Sequence, residues 1–151
     1  MLRARLSEAL KAAMKSKDQC AVSTLRLILA ALKDREIAAR VKGGAEGIGD
    51  DEILDLLQKM IRQRRDSIEM YRQGNRQDLV DKEEAEIAVI QVFLPEQIGE
   101  DAMEAAVGEV IDELEAKTIK DMGRVMGTLK ERYAGCMDFA KASALVKQRL
   151  S

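Results

Sequence analysis

Between residues 59 and 97, two helix-like runs of opposite charge meet at a single glycine, Gly74. The first run carries a cluster of arginines. The second begins with acidic residues, ends with apolar ones and stops at Pro95, the only proline of the chain. A tight turn between two consecutive helices brings them side by side. The segment therefore predicts an antiparallel helix pair that is held together partly by charge.

The composition favours helices throughout the chain. Hydrophobic residues make up 46% of the 151 residues, yet there are only two Phe, two Tyr and no Trp. The core must therefore come from aliphatic side chains and Met, whereas a sheet would ask for more aromatic and β-branched residues. We predict an all-α protein of one domain or two small ones.

Apolar periodicity divides this helical chain into two parts. We expect an N-terminal four-helix domain at residues 1–95 and a small C-terminal three-helix domain at residues 96–151. The boundary is set at Pro95 because the residue before a proline is displaced from the helical conformation. Three short helices are close to the lower limit for an independent core.

Single residues mark the expected helix ends. Asp18, Asn75 and Asp138 are predicted to cap the second, fourth and last helices. Gly74 is expected to supply the left-handed conformation that ends the third helix. The second helix, which has a broad apolar face, is expected to be largely buried. Residues 43–49 contain four glycines and are interpreted as a connector.

A pair of buried charges is expected between the third and fourth helices. The apolar stripe of the third helix should continue beyond Ile61 at position 64 or 65, and both residues are arginine. On the fourth helix, Glu83 occupies an apolar-side position. Either charge alone would be costly to bury. We hypothesise that Arg64 or Arg65 pairs with Glu83 or Glu86.

The overall charge excludes a strongly basic polyanion binder. The formal net charge is -2, from 25 basic and 27 acidic residues. The charges come in alternating blocks, with an acidic block at residues 99–116 and a net basic block at residues 117–151. Neighbouring helices that neutralise each other would explain such blocks, and so would a basic face left free for a phosphate backbone.

Catalytic and metal sites find little support in this sequence. His is absent, so Ser-His and Cys-His catalysis and Cys/His zinc sites are excluded. We expect no catalytic residue, cofactor or metal. Cys20 and Cys136 are interpreted as reduced thiols. No apolar run approaches the roughly 20 residues of a membrane span, so we expect a cytoplasmic protein with no membrane partner.

Two sets of basic residues are candidates for phosphate contact. The first set is Lys120, Arg124, Lys130 and Arg132. The second set is Arg62, Arg72 and Arg76. Both sets are also open to pairing with carboxylates on neighbouring helices. Gly123 and Gly127, four residues apart, are interpreted as a strip for tight helix packing in preference to a ligand site.

Four ordered motifs resemble the GatB/YqeY family over essentially the whole chain. The motifs are Tyr71-Arg72-x-Gly74-x-Arg76-x-Asp78-Leu79, Lys82-Glu83 followed by Glu86-Ile87, Phe93-Leu94-Pro95-x-Gln97, and Lys120-Asp121-Met122-Gly123-x-Val125-Met126-Gly127. The resemblance extends to the tail domain of the B subunit of the tRNA-dependent amidotransferase. It implies an all-α protein whose small C-terminal domain touches tRNA.

The resemblance implies a non-catalytic module for tRNA recognition, or an accessory to a tRNA-dependent enzyme. The expected partner is tRNA or such an enzyme, and DNA is not expected. One alternative is activity as a carbon-nitrogen ligase with glutamine as amido-N-donor. Another is a protein-protein adaptor without RNA affinity that uses the acidic helix at residues 100–116.

Overall fold

The computed structural model describes residues 1–43 and 48–151. Within these residues every regular element is helical, which confirms the all-α prediction. The elements are α1 (Leu2–Ser16), α2 (Gln19–Val41), α3 (Asp50–Gln73), α4 (Gln77–Gln91), α5 (Glu100–Glu113), a 3-10 helix (Ile119–Asp121), α6 (Met122–Arg132) and α7 (Phe139–Leu150). The predicted connector at 43–49 lies largely outside the described residues.

The helices form two compact units, Met1–Leu94 and Pro95–Ser151. Each unit has its own cluster of buried apolar side chains. The division lies one residue before the boundary expected from the sequence. Independent folding of residues 1–95 and 96–151 as domains stays a prediction.

Aliphatic side chains from all four helices fill the core of the N-terminal unit. The fully buried members include Leu6, Leu25, Ile28, Leu32, Ile53, Leu57, Val80 and Ile90. The expectation that the second helix is largely buried is wrong, because α2 buries only Thr24, Leu25, Ile28 and Leu32. Leu27 and Ile37 remain 51% and 48% exposed. The apolar residues of α2 cover two faces, and only one of these faces meets the core.

The turn between α3 and α4 differs from the prediction in one residue. Gly74 has φ −88, and Asn75 takes the left-handed conformation with φ 57. The Arg76 N–H donates to the Tyr71 carbonyl at 2.9 Å, and the Asn75 N–H donates to the Arg72 carbonyl at 3.2 Å. This is a Schellman ending, which requires the left-handed residue one position beyond the C-cap, and asparagine tolerates that conformation.

The predicted caps have different outcomes. The Asp18 carboxylate accepts from the Ala21 N–H at 3.1 Å, and the Asp138 carboxylate accepts from Ala140 at 3.0 Å, which confirms both caps. Asn75 does not cap α4, because its backbone is already used to close the α3 turn. Arg76 occupies the N-cap position instead, without a side-chain cap hydrogen bond.

The C-terminal unit packs α5, α6 and α7 around Val107, Val125, Leu129, Met137 and Val146. A capping box of Thr118 and Asp121, which the sequence reasoning missed, fixes the start of the 3-10 helix that precedes α6. The carboxylate of Asp121 accepts from the Lys117 and Thr118 N–H groups at 3.1 and 3.3 Å. The segment before α5 is anchored as well, because Gln97 Nε2 donates to the Gly135 carbonyl at 2.6 Å.

We predict that a fragment of residues 95–151 folds without the rest of the chain. Its core is complete within the fragment, and its stability should be only a few kcal/mol because so small a domain buries little apolar area. Circular dichroism should show a helical spectrum and a cooperative thermal transition. A fragment that is unfolded at 10 °C, while residues 1–94 fold, would contradict two independent domains.

Candidate nucleic-acid interface

The outer face of α6 is defined by the burial of its inner face. Val125 and Leu129 are fully buried, and residues on the opposite side of the helix point away from the core. Gly123 and Gly127 lie on that opposite side and are exposed. They share it with Arg124 and Lys130, and the exposed Lys120 lies in the 3-10 helix that immediately precedes α6. These five residues are here called the α6 outer face.

The two glycines are not used for helix packing within either unit. A Cβ atom placed on Gly123 or on Gly127 would meet no heavy atom within 4 Å. The interpretation as a tight packing strip is therefore wrong for the contacts of the described residues. The core of this unit is filled by the branched side chains of the opposite face, which leaves the glycine backbone open at the surface.

The lysines of the α6 outer face have no ionic partner among residues 1–43 and 48–151. Lys120 and Lys130 are both exposed. Arg124 donates from Nη2 to Asp121 at 2.9 Å, and its side chain is 59% exposed. The pKa of Asp121 is lowered by the backbone N–H of Lys117 first and by Arg124 second. Arg124 thus combines one carboxylate partner with a largely exposed side chain.

Arg132 belongs to a different environment. Its Nη2 donates to the Glu113 carboxylate of α5 at 2.5 Å. The hydrogen bond from Arg132 lowers the pKa of Glu113 and raises that of Arg132 itself. Lys141 of α7 approaches Glu100 of α5 at 3.7 Å. Part of the basic block therefore neutralises the acidic helix, and Arg132 is less free for a ligand than the two lysines.

The second basic set lies in the N-terminal unit. Arg72 pairs with Glu84 at 3.2 Å across the α3–α4 pair. Arg76 forms a two-pronged pair with Asp78, in which both N–O distances are 3.1 Å. Arg62 is exposed and has no ionic partner among the described residues. The structure thus places the two sets in separate units, and carboxylates already occupy two of these three arginines.

The buried charge pair of the N-terminal unit is formed by Arg64 and Glu86. Arg64 Nε donates to the Glu86 carboxylate at 3.1 Å, and each side chain is only 12% exposed. Arg64 Nη1 also donates to the Met60 carbonyl at 3.1 Å. Of the other two residues considered for this pair, Arg65 is exposed, whereas Glu83 is half-buried beside Glu86.

The two thiols are free in the structure. Cys136 is half-buried, and its Sγ donates to the Tyr133 carbonyl at 3.3 Å. Burial raises the pKa of the Cys136 thiol, so this group is protonated and a poor nucleophile at neutral pH.

Comparison with known proteins identifies the family of this chain. The chain matches the YqeY-like protein family over residues 3–150. It belongs to this family. The YqeY family is related to the C-terminal tail domain of the amidotransferase B subunit, in agreement with the four motifs of the sequence.

Curated relatives of this YqeY-like protein include fungal proteins named altered inheritance of mitochondria protein 41, mitochondrial. The Lachancea thermotolerans protein is 37% identical over 74% of this chain and 58% of its own length. The Pyrenophora tritici-repentis protein is 35% identical over 85% of this chain and 71% of its own length. The Vanderwaltozyma polyspora protein is 33% identical, with coverages of 82% and 62%.

These relatives contradict the expectation of a cytoplasmic protein, because their names assign them to mitochondria. The expectation rested on reduced thiols and on the lack of a long apolar run, and neither feature distinguishes one reducing compartment from another. Within the described part of the chain, each helix is too short or too polar to cross a bilayer.

We predict that Arg64→Met destabilises the protein by about 3 kcal/mol, because the largely buried carboxylate of Glu86 would lose its partner. The double variant Arg64→Met, Glu86→Leu should recover most of this loss. Urea unfolding measures both effects. The matched control is Arg65→Met, which changes an exposed residue and should cost less than about 0.5 kcal/mol. Equal losses in the two single variants would show that the pair does not stabilise the helix contact.

A second prediction concerns pH. Burial raises the pKa of Glu83, and the adjacent carboxylate of Glu86 raises it further. The folded protein therefore holds the Glu83 proton more tightly than the unfolded chain, so stability is lost as pH rises from the ordinary pKa of 4.5 through the folded value.

We expect Glu83→Gln to raise the Tm at neutral pH, because glutamine cannot ionise. The difference between variant and parent should shrink as pH falls below 4.5. Thermal melts across this range test the prediction, with the exposed Glu69→Gln as control. A lower Tm for Glu83→Gln at neutral pH would contradict it.

Proposed function

We propose that this YqeY-like protein is a non-catalytic module that contacts tRNA phosphates through the α6 outer face. The observation that carries the proposal is the exposed glycine pair, Gly123 and Gly127, with two unpaired lysines beside it. The relation of the family to the amidotransferase tail domain supports tRNA as the nucleic acid. The module serves tRNA recognition or assists a tRNA-dependent enzyme.

Glycine suits this role for a steric reason. A residue with a Cβ holds a ligand backbone away from the helix, whereas the two glycines allow a sugar-phosphate chain to approach the peptide backbone directly. The lysine ammonium groups then lie at either end of the open strip as point charges for phosphate oxygens. Recognition of this kind reads shape and backbone and not base identity.

The small number of basic residues on the α6 outer face limits the expected affinity for tRNA. Lys120, Arg124 and Lys130 are three cations on a chain of formal net charge -2, so binding should be weak and moderately dependent on salt. With about three phosphate contacts, log K should fall by roughly 2 to 3 for each tenfold rise in salt concentration. Arg62, Arg72 and Arg76 lie in the other unit and are secondary candidates.

The first test titrates the protein with total tRNA at two salt concentrations by fluorescence anisotropy. Lys120→Glu with Lys130→Glu should abolish the salt-dependent binding, because both unpaired cations are reversed. Lys147→Glu on α7 is the matched control, since Lys147 is exposed and has no ionic partner among the described residues. Binding that persists in the double variant would refute the assignment of this face.

The glycines allow a sharper test. Gly123→Ala and Gly127→Ala should each stabilise α6, by about 0.5 to 1 kcal/mol, because alanine is the better helix former and has free space here. The same changes should weaken tRNA binding. Increased stability with unchanged binding would show that close backbone approach is not used.

Assays of the purified protein also distinguish the tRNA-binding proposal from the carbon-nitrogen ligase and the protein-protein adaptor. A glutaminase or amide-transfer activity of the purified chain would favour a carbon-nitrogen ligase. A chain without tRNA affinity that is captured by a tRNA-dependent enzyme would favour the adaptor, for which the acidic face of α5 is the candidate surface.

A further inference from the structure

The outward side of α2 carries an apolar stripe that the N-terminal unit leaves largely exposed, although Ala31 packs partly against the core. Its members recur at spacings of three, four and seven residues, which places them on one side of a helix. They are Leu27, Ala30, Ala31, Ile37, Ala38 and Val41. Leu27 is 51% exposed and Val41 83% exposed. We call this set the α2 stripe.

A row of positive charges borders the α2 stripe. Arg26, Lys33 and Arg40 are seven residues apart from one another and lie along one edge. All three are exposed and have no ionic partner among residues 1–43 and 48–151. Asp34, also exposed and unpaired within those residues, stands in the middle of the stripe. The surface is therefore apolar, with a basic edge and one central negative charge.

A groove adjoins the α2 stripe and shares two residues with it. The groove lies between α2 and α3 and has a volume of about 370 Å³. Its apolar lining is Leu27 and Ala31 of the stripe with Leu56 and Met60 of α3, and its polar lining is Arg35, Lys59, Gln63 and Arg64. An apolar side chain of a ligand can contact the apolar part of this lining, and a carboxylate can face its basic part. The alanines next to it allow a second helix to approach closely.

We propose that the α2 stripe binds an amphipathic helix of a partner protein that has acidic flanks and a central lysine or arginine. Its apolar residues would pack on Leu27, Ile37 and the alanines, in the manner of a helix in a groove. Its acidic flank would face the Arg26, Lys33 and Arg40 row. Its central cation would pair with Asp34. This binding is separate from the proposed tRNA contact, which uses the other unit.

Charge decides between this partner and two other occupants. A second copy of α2, paired antiparallel about a two-fold axis, would place Asp34 of one chain near Asp34 of the other, because residue 34 is at the centre of the stripe. A lipid surface would have to accept the Asp34 carboxylate at the middle of its apolar contact, which costs several kcal/mol. An acidic helix with a central cation satisfies both signs of charge.

The experiment uses the full chain and a synthetic 18-residue helical peptide with leucines at three- and four-residue spacing, glutamates on its flanks and one central lysine. We expect the chain to bind this peptide and not its scrambled sequence. Ile37→Ser and Lys33→Glu with Arg40→Glu should each weaken binding at least tenfold. Met70→Ser, which changes an apolar residue that is 71% exposed on α3, is the control and should have no effect.

A charge exchange tests the central contact. Asp34→Lys should weaken binding of the lysine peptide, and a peptide with glutamate at its centre should restore it. The proposal is overturned if the wild-type chain does not discriminate the designed peptide from the scrambled one, or if Ile37→Ser binds equally well.

Two further outcomes also overturn the proposal. One is stripe-dependent binding to vesicles of anionic phosphatidylglycerol in place of the peptide. The other is concentration-dependent dimerisation that Ile37→Ser abolishes. Since Ile37→Ser should leave tRNA affinity unchanged, failure here is distinguishable from failure of the proposed tRNA contact.

Discussion

One buried charge pair, Arg64 with Glu86, constrains how α3 and α4 of the N-terminal unit pack. Arg64 is set into the apolar contact of these helices, and an unpaired guanidinium there would oppose folding. Glu86 accepts from it at 3.1 Å, and the carbonyl of Met60 accepts a second hydrogen bond. The Schellman turn at Asn75 returns the chain so that this pairing is possible. The register of the two helices is thus linked to electrostatics as well as to packing.

The position of Glu86 in this pair is electrostatically unfavourable for a third residue, Glu83. Glu83 lies beside Glu86 in partial burial, and both burial and like charge raise its pKa. The arginine neutralises one carboxylate and leaves the other without a full counter-charge. Elsewhere Arg72, Arg76 and Arg132 each hold a carboxylate. Unpaired cations also border the two surfaces that we propose for ligands.

Those free surfaces lie on the outward sides of two helices. On α6, glycines and lysines face outward because Val125 and Leu129 occupy the side of the helix that packs in the core. On α2, Leu25 and Ile28 pack in the core, whereas Leu27 and Ile37 are exposed. A small helical unit buries one stripe of each helix, so any second pattern on the same helix faces solvent. The two outward faces differ in chemistry, and for this reason we propose a phosphate backbone as the ligand of one and an acidic helix as the ligand of the other.

The sequence by itself determined the helical class, the caps at Asp18 and Asp138, and the membership of the family, because these depend on local propensity, capping chemistry and ordered motifs. Tertiary structure alone decided which of the candidate charges pair and which side of a helix is covered. From the sequence alone, Gly123 and Gly127 could lie either in a helix contact or at the surface, and only the positions of the neighbouring helices decide between the two. Similarly, α2 has two apolar stripes, and periodicity cannot tell which one meets the core, because burial depends on partners distant in sequence.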